Sequence, residues 1–110
     1  MSWNILQKST ATAIVHDVGK DIPHTYELNQ NYPNPFNPLT TIEFSLEKAS
    51  FVDLEVFNTL GERVDIIESK NVKAGKHSYQ FDARFLPSGV YFYRIKADNF
   101  YDVKKMILLK

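Results

Sequence analysis

The chain has no cysteine, which excludes disulfides and thiolate metal sites. It has no surplus of either charge, since 13 basic and 13 acidic residues balance to zero with histidine neutral. A general nucleic-acid binder needs a basic face, so that class is set aside. No apolar run reaches membrane-spanning length. The start, Met1-Ser2-Trp3-Asn4, shows neither the basic region nor the apolar core of a signal peptide, and none is expected in this chain.

Catalytic and metal signatures are missing too. His16, His24 and His77 lie far apart in different segments, without ligand spacing, so no metal site is expected. Ser45, Ser50, Ser69, Ser78 and Ser88 have no accompanying motif that would activate a nucleophile. Glu43, Asp53, Glu55 and Asp65 fall on outward strand faces, where a solvated carboxylate is the default. The expectation is a chain with no catalytic residue, no cofactor and no enzymatic activity.

What is present begins with Leu28-Asn29-Gln30-Asn31-Tyr32-Pro33-Asn34-Pro35-Phe36-Asn37-Pro38. Three prolines in six positions remove three backbone donors, fix three φ angles, and push Tyr32, Asn34 and Asn37 into extended geometry. The segment is neither a helix nor a central strand. Asn34 and Asn37 can fold their amides onto their own backbone, and Tyr32 and Phe36 offer two aromatic anchors. It reads as a rigid lead-in to a β-domain beginning at Thr40. Pro35-Phe36-Asn37-Pro38 also fits a PxxP ligand, but one isolated match carries little.

Downstream the apolar residues recur with period two, the pattern of half-buried antiparallel strands. Ile42, Phe44 and Leu46 share one face. Val52, Leu54 and Val56 oppose Asp53 and Glu55, and Val64 and Ile66 oppose Arg63 and Asp65. Tyr79 and Phe81, then Tyr91, Tyr93 and Ile95, are expected to point inward. Turns fall at Asn58-Thr59-Leu60-Gly61, Lys73-Ala74-Gly75-Lys76, Leu86-Pro87-Ser88-Gly89 and Asp98-Asn99. Gly89 is assigned a backbone role and Tyr91 a core position with its hydroxyl at the rim. The last strand, Val103 to Lys110, carries four consecutive apolar residues and does not alternate, so either its second face is covered or a partner covers it.

With no internal repeat in 110 residues, the count is one domain. Its 44% apolar and 14% aromatic content supports a packed core. The expected fold is all-β: an immunoglobulin-like antiparallel β-sandwich of about seven strands over 25–110, preceded by a linker or partly disordered stretch at 1–24 with weak strand character at 10–15.

Taken together, the lead-in, Thr41-Ile42-Glu43-Phe44-Ser45-Leu46, Val56-Phe57-Asn58-Thr59-Leu60-Gly61-Glu62-Arg63-Val64, Ala74-Gly75-Lys76-His77, Leu86-Pro87-Ser88-Gly89-Val90-Tyr91-Phe92-Tyr93-Arg94 and Lys104-Lys105-Met106-Ile107-Leu108-Leu109-Lys110 resemble a known family. It is the C-terminal sorting domain of the type IX (Por) secretion system, type A, which is itself similar to the immunoglobulin-like domain of flagellar hook-capping proteins. Asn31 to Pro38, Gly61 and Gly75 match its structural motifs. Pro87 stands where the family often has a small residue.

The resemblance implies a secretion signal read by an outer-membrane translocon and its shuttle protein. Gly89 and Tyr91 of a glycine-x-tyrosine motif are implied as signal elements, with Lys104, Lys105, Met106, Leu108, Leu109 and Lys110 at the terminus. It further implies cleavage by a sortase-like cysteine protease within 1–24, and an upstream cargo domain carried through the periplasm to the outer-membrane surface or secreted. The terminal segment is expected to add to a sheet edge or enter a barrel mouth, or else to be an ordinary last strand beside the lead-in. Two alternative classes stand beside this one: a structural scaffold, and a non-catalytic accessory module that binds carbohydrate. Exposed, coplanar Phe57 and Phe92 would favour the sugar reading.

Overall fold

The computed structural model describes residues 25–110, so the expected linker at 1–24, its strand at 10–15, His16 and His24 lie outside the described residues. Seven strands follow in order: β1 (Glu27–Leu28), β2 (Leu39–Leu46), β3 (Ser50–Phe57), β4 (Arg63–Val72), β5 (Gly75–Asp82), β6 (Gly89–Ala97) and β7 (Phe100–Leu108). They form a three-stranded sheet, β1-β2-β5, and a four-stranded sheet, β4-β3-β6-β7, all pairs antiparallel. The all-β sandwich expected from the period-two pattern is the fold.

The inward residues of both sheets make one core. Ile42, Phe44 and Leu46 from one sheet meet Val52, Leu54, Val56, Tyr93, Ile95, Met106 and Leu108 from the other, all essentially without solvent contact. Each such side chain contributes about 1.5–3 kcal/mol through burial. Phe44 stacks on Tyr79, with ring centroids 5.7 Å apart and planes within 9°.

The Pro-rich segment belongs to the sandwich, not merely to its approach. It leaves β1, bridges Thr41 of β2 at Tyr32, and then bridges Leu108 of β7 at Phe36. It thus ties the first sheet to the second along the side where β2 and β7 would otherwise face water. All three of its X-Pro bonds are cis. Phe36 is buried as expected, but Tyr32 is 53% exposed; its hydroxyl donates to Glu43 Oε2 at 3.0 Å. Only one of the two expected aromatic anchors enters the core, because the bridge to Thr41 turns the Tyr32 side chain outward.

Strand β4 departs from the expected alternation. Leu54 opposes Glu68 while Glu55 opposes Ile66, and Val56 opposes Asp65 while Phe57 opposes Arg63. Ile67 and Val64 are therefore the extra residues of two bulges. Both pack against the core, whereas Ile66 is exposed. Val64 was placed correctly and Ile66 was not: a bulge resets which parity faces inward.

Glu55 is likewise no solvated carboxylate. It is buried between two arginines, accepting from Arg63 Nη1 at 2.8 Å and Arg94 Nη2 at 2.7 Å. Period two puts Glu55 on the outer face, but Arg63, Arg94 and their neighbours close over it.

Candidate functional site

The closing strand and what holds it form the site. The backbone edge of β7 points toward the lead-in. Phe36 N donates to Ile107 O at 2.9 Å, and Leu109 N donates to Phe36 O at 3.0 Å. Ile107 N donates to Asn34 Oδ1 at 3.0 Å, and Gln30 Nε2 donates to Lys105 O at 2.7 Å. The Asn34 amide, expected to turn onto its own backbone, serves the last strand instead. From Lys105 to Leu109 the edge is satisfied, so it offers no free template for strand addition in this state.

With its edge covered, the strand alternates despite its continuous apolar sequence. Met106 and Leu108 have no solvent exposure, Ile107 is half-buried and Leu109 is 56% exposed. Lys105 is exposed, while Lys104 leans toward Asp102 at 3.9 Å. Lys110 is tied back: its backbone N donates to Ser88 Oγ at 3.0 Å, and its Nζ donates to Arg84 O. The terminal set thus divides, with Met106 and Leu108 in the core and Lys105, Leu109 and Lys110 on the surface.

A buried polar network locks the lead-in onto β6. Tyr93 OH accepts from Asn31 N at 2.7 Å and donates to Asn29 O at 2.6 Å. Asn31 Nδ2 donates to Thr40 Oγ1 at 2.9 Å and to Pro33 O at 3.2 Å, and Thr40 Oγ1 donates to Pro33 O at 2.8 Å. Burial pushes the Tyr93 phenol up to about 12. Tyr93 points inward as the alternation predicts, while its partners Asn29 and Asn31 come from the lead-in and are not legible from that pattern. The available signal was the phenol itself, since a buried tyrosine hydroxyl needs a partner.

Gly89 and Tyr91 have structural work in the same region. Tyr91 is buried and its hydroxyl donates to Pro87 O, four residues upstream, at 2.6 Å. The contact has the form of a tyrosine corner and ties β6 to the loop through which the chain crosses between sheets. Gly89 sits at φ +154°, and beyond its two chain neighbours a Cβ there would meet nothing within 4 Å. Its need is backbone conformation and not close approach. Gly61 (φ +81°) serves the β3–β4 turn in the same way.

On the outer face of the four-stranded sheet lies an open depression of about 290 Å³, bordered by Phe57, Phe92, Arg94, Tyr101 and Val103. Arg94 is held there by Glu55 and lies over the Phe57 ring at 4.6 Å. Phe57 and Phe92 are both half-buried. With the guanidinium over one of them, the exposed aromatic platform that would favour sugar binding does not form. Among the described residues no group of three or more His, Cys, Asp or Glu could hold a metal ion.

The fold and the clasped closing strand define a small β-sandwich whose terminal residues are part of its folded surface. The family model for the secretion system C-terminal sorting domain matches residues 30–109, and the chain belongs to that family. The match runs from the start of the Pro-rich clasp to the exposed Leu109. No curated protein matches the chain.

Proposed function

We propose that this domain directs an upstream cargo through the type IX outer-membrane translocon, where the shuttle protein engages it and a sortase-like cysteine protease releases it for surface attachment or secretion. The observation that carries this reading is the family match over 30–109. The division of the terminal set refines it. Lys105, Leu109 and Lys110 are available for contact, whereas Met106, Leu108, Tyr91 and Gly89 act by keeping the domain folded. A signal read as a folded surface requires both groups.

The test is a fluorescent reporter behind a Sec signal peptide, fused ahead of residues 1–110 in a type IX-competent bacterium. Deleting Lys105–Lys110 is a poor comparison, because it empties the core of Met106 and Leu108 at about 2–5 kcal/mol each. Leu109→Ser with Lys110→Glu leaves the core intact. Surface reporter for the native end and periplasmic retention for the double variant, with equal melting midpoints, support the reading. Retention of both fusions overturns it.

A further inference from the structure

We propose that the export machinery docks on one pole of the folded sandwich, centred on Phe85, Leu60 and Leu109, so that the signal is a composite surface and not a terminal peptide alone. This rests on the sorting-domain reading and names the surface that the machinery takes.

Strands β3 and β7 end, and β4 and β6 begin, at the same pole. The loop 83–88 and the turn 58–61 therefore emerge at the pole where β7 ends. Phe85 is 93% exposed and Leu60 is 81% exposed. A large apolar side chain held in water at a loop tip marks an interaction surface when others lie with it.

Neither tip is loose. Leu86 N donates to Ala83 O, Ala83 N donates to Pro38 O, and Tyr91 OH holds Pro87. In the other turn, Asn58 Oδ1 accepts from both Leu60 N and Glu62 N, and Gly61 N donates to Asn58 O. Phe85 and Leu60 are presented on pre-organised backbone, which lowers the cost of binding. Lys110 joins the loop to the terminus through Ser88 and Arg84.

The occupant follows from where the chain enters. Tyr26 stacks on Phe100 at 5.5 Å and donates to Asp98 Oδ2, at the opposite pole. An eight-residue strand separates the poles by roughly 25 Å. The described chain therefore enters at that far pole, and the Phe85 pole is not its point of entry. Among the described residues Lys105 and Lys110 have no carboxylate within ion-pair distance. The fitting partner is a protein groove with an apolar floor and an acidic rim.

The experiment uses the same reporter fusion to residues 1–110 with Leu60→Ser and Phe85→Ser together. Phe51→Ser is the control, since Phe51 is also exposed but lies at the start of β3, on the opposite pole. The expected result is a drop in surface reporter of about tenfold or more for the double variant, a native level for Phe51→Ser, and unchanged melting midpoints in both. A tenfold change corresponds to about 1.4 kcal/mol of lost recognition. Native export of the double variant overturns the proposal while leaving the sorting reading intact. Failure of the native fusion to reach the surface overturns the sorting reading itself. A native domain that sediments as a dimer and becomes monomeric in the double variant would make this pole a self-interface, and also overturns the proposal.

Discussion

Tyr93 and Asn31 meet in the core, the Tyr93 hydroxyl accepting the backbone N–H of Asn31 at 2.7 Å. One phenol from β6 thereby holds the segment that in turn covers the edge of β7. Removing it tests the whole clasp. Tyr93→Phe leaves the buried Asn31 N–H and Asn29 C=O without their partner, at a cost of about 1–3 kcal/mol. Urea denaturation reads the loss, and hydrogen exchange should show faster opening at residues 29–36. A change below about 0.5 kcal/mol, the usual scale of a surface substitution, would mean that the clasp holds without this bond.

Alkaline stability follows from two phenols. Tyr93 and Tyr79 are both pushed up to about 12, by burial first and, for Tyr79, by Glu68 beside it. The fold favours their neutral forms. Their contribution is complete below the ordinary phenol value near 10 and is lost as pH rises through 12. A Tyr79→Phe, Tyr93→Phe variant should be less stable at pH 8 and lose less between pH 10 and 12. Equal slopes for native and variant proteins in that window would refute the assignment.

Acid sensitivity points to Glu55. The Arg63 guanidinium, with Arg94 beside it, holds this carboxyl below its ordinary value. Its stabilisation is present above about pH 4.5 and is lost as pH falls below that. Glu55→Gln should flatten the slope there and cost about 1–3 kcal/mol at pH 7. That is less than a fully buried pair would lose, because Arg63 is largely exposed. Circular-dichroism melts from pH 3 to 7 decide it.

Gly89→Ala isolates backbone strain. Space around the added methyl is open, so the cost is the positive φ alone, about 1–2 kcal/mol. A loss near 4 kcal/mol would mean that atoms beyond the two chain neighbours also oppose the methyl, against the open space found there.

Tyr91 separates ring from hydroxyl. Tyr91→Ala should cost about 3–5 kcal/mol by emptying a core position. Tyr91→Phe should cost about 1 kcal/mol by releasing Pro87 O alone. Thermal melts of the two variants would contradict the corner assignment if their midpoints coincided.

Period-two alternation was enough to specify two sheets and most of the core, because successive strand side chains must point to opposite faces. Ile42, Phe44, Val52, Leu54, Tyr93 and Ile95 were all legible in this way. The turns were equally plain at Gly61 and Gly89, where glycine alone takes the positive φ cheaply. Ile66 and Glu55 were not. A bulge changes parity without leaving a residue signature, and a carboxylate on an outward position becomes buried only when two arginines from other strands close over it.

The terminal strand shows the same boundary. Its composition announced that both of its sides were unusual, and the resemblance of its motifs to a sorting domain was readable residue by residue. That Asn34, Phe36 and Gln30 satisfy its edge, that Met106 is core while Leu109 is surface, and that Phe85 and Leu60 share a pole with Lys110, depended on segments up to 75 residues apart. Local sequence determines which way a side chain points along a regular, unbulged strand. Only the packing of the two sheets determines what it meets there.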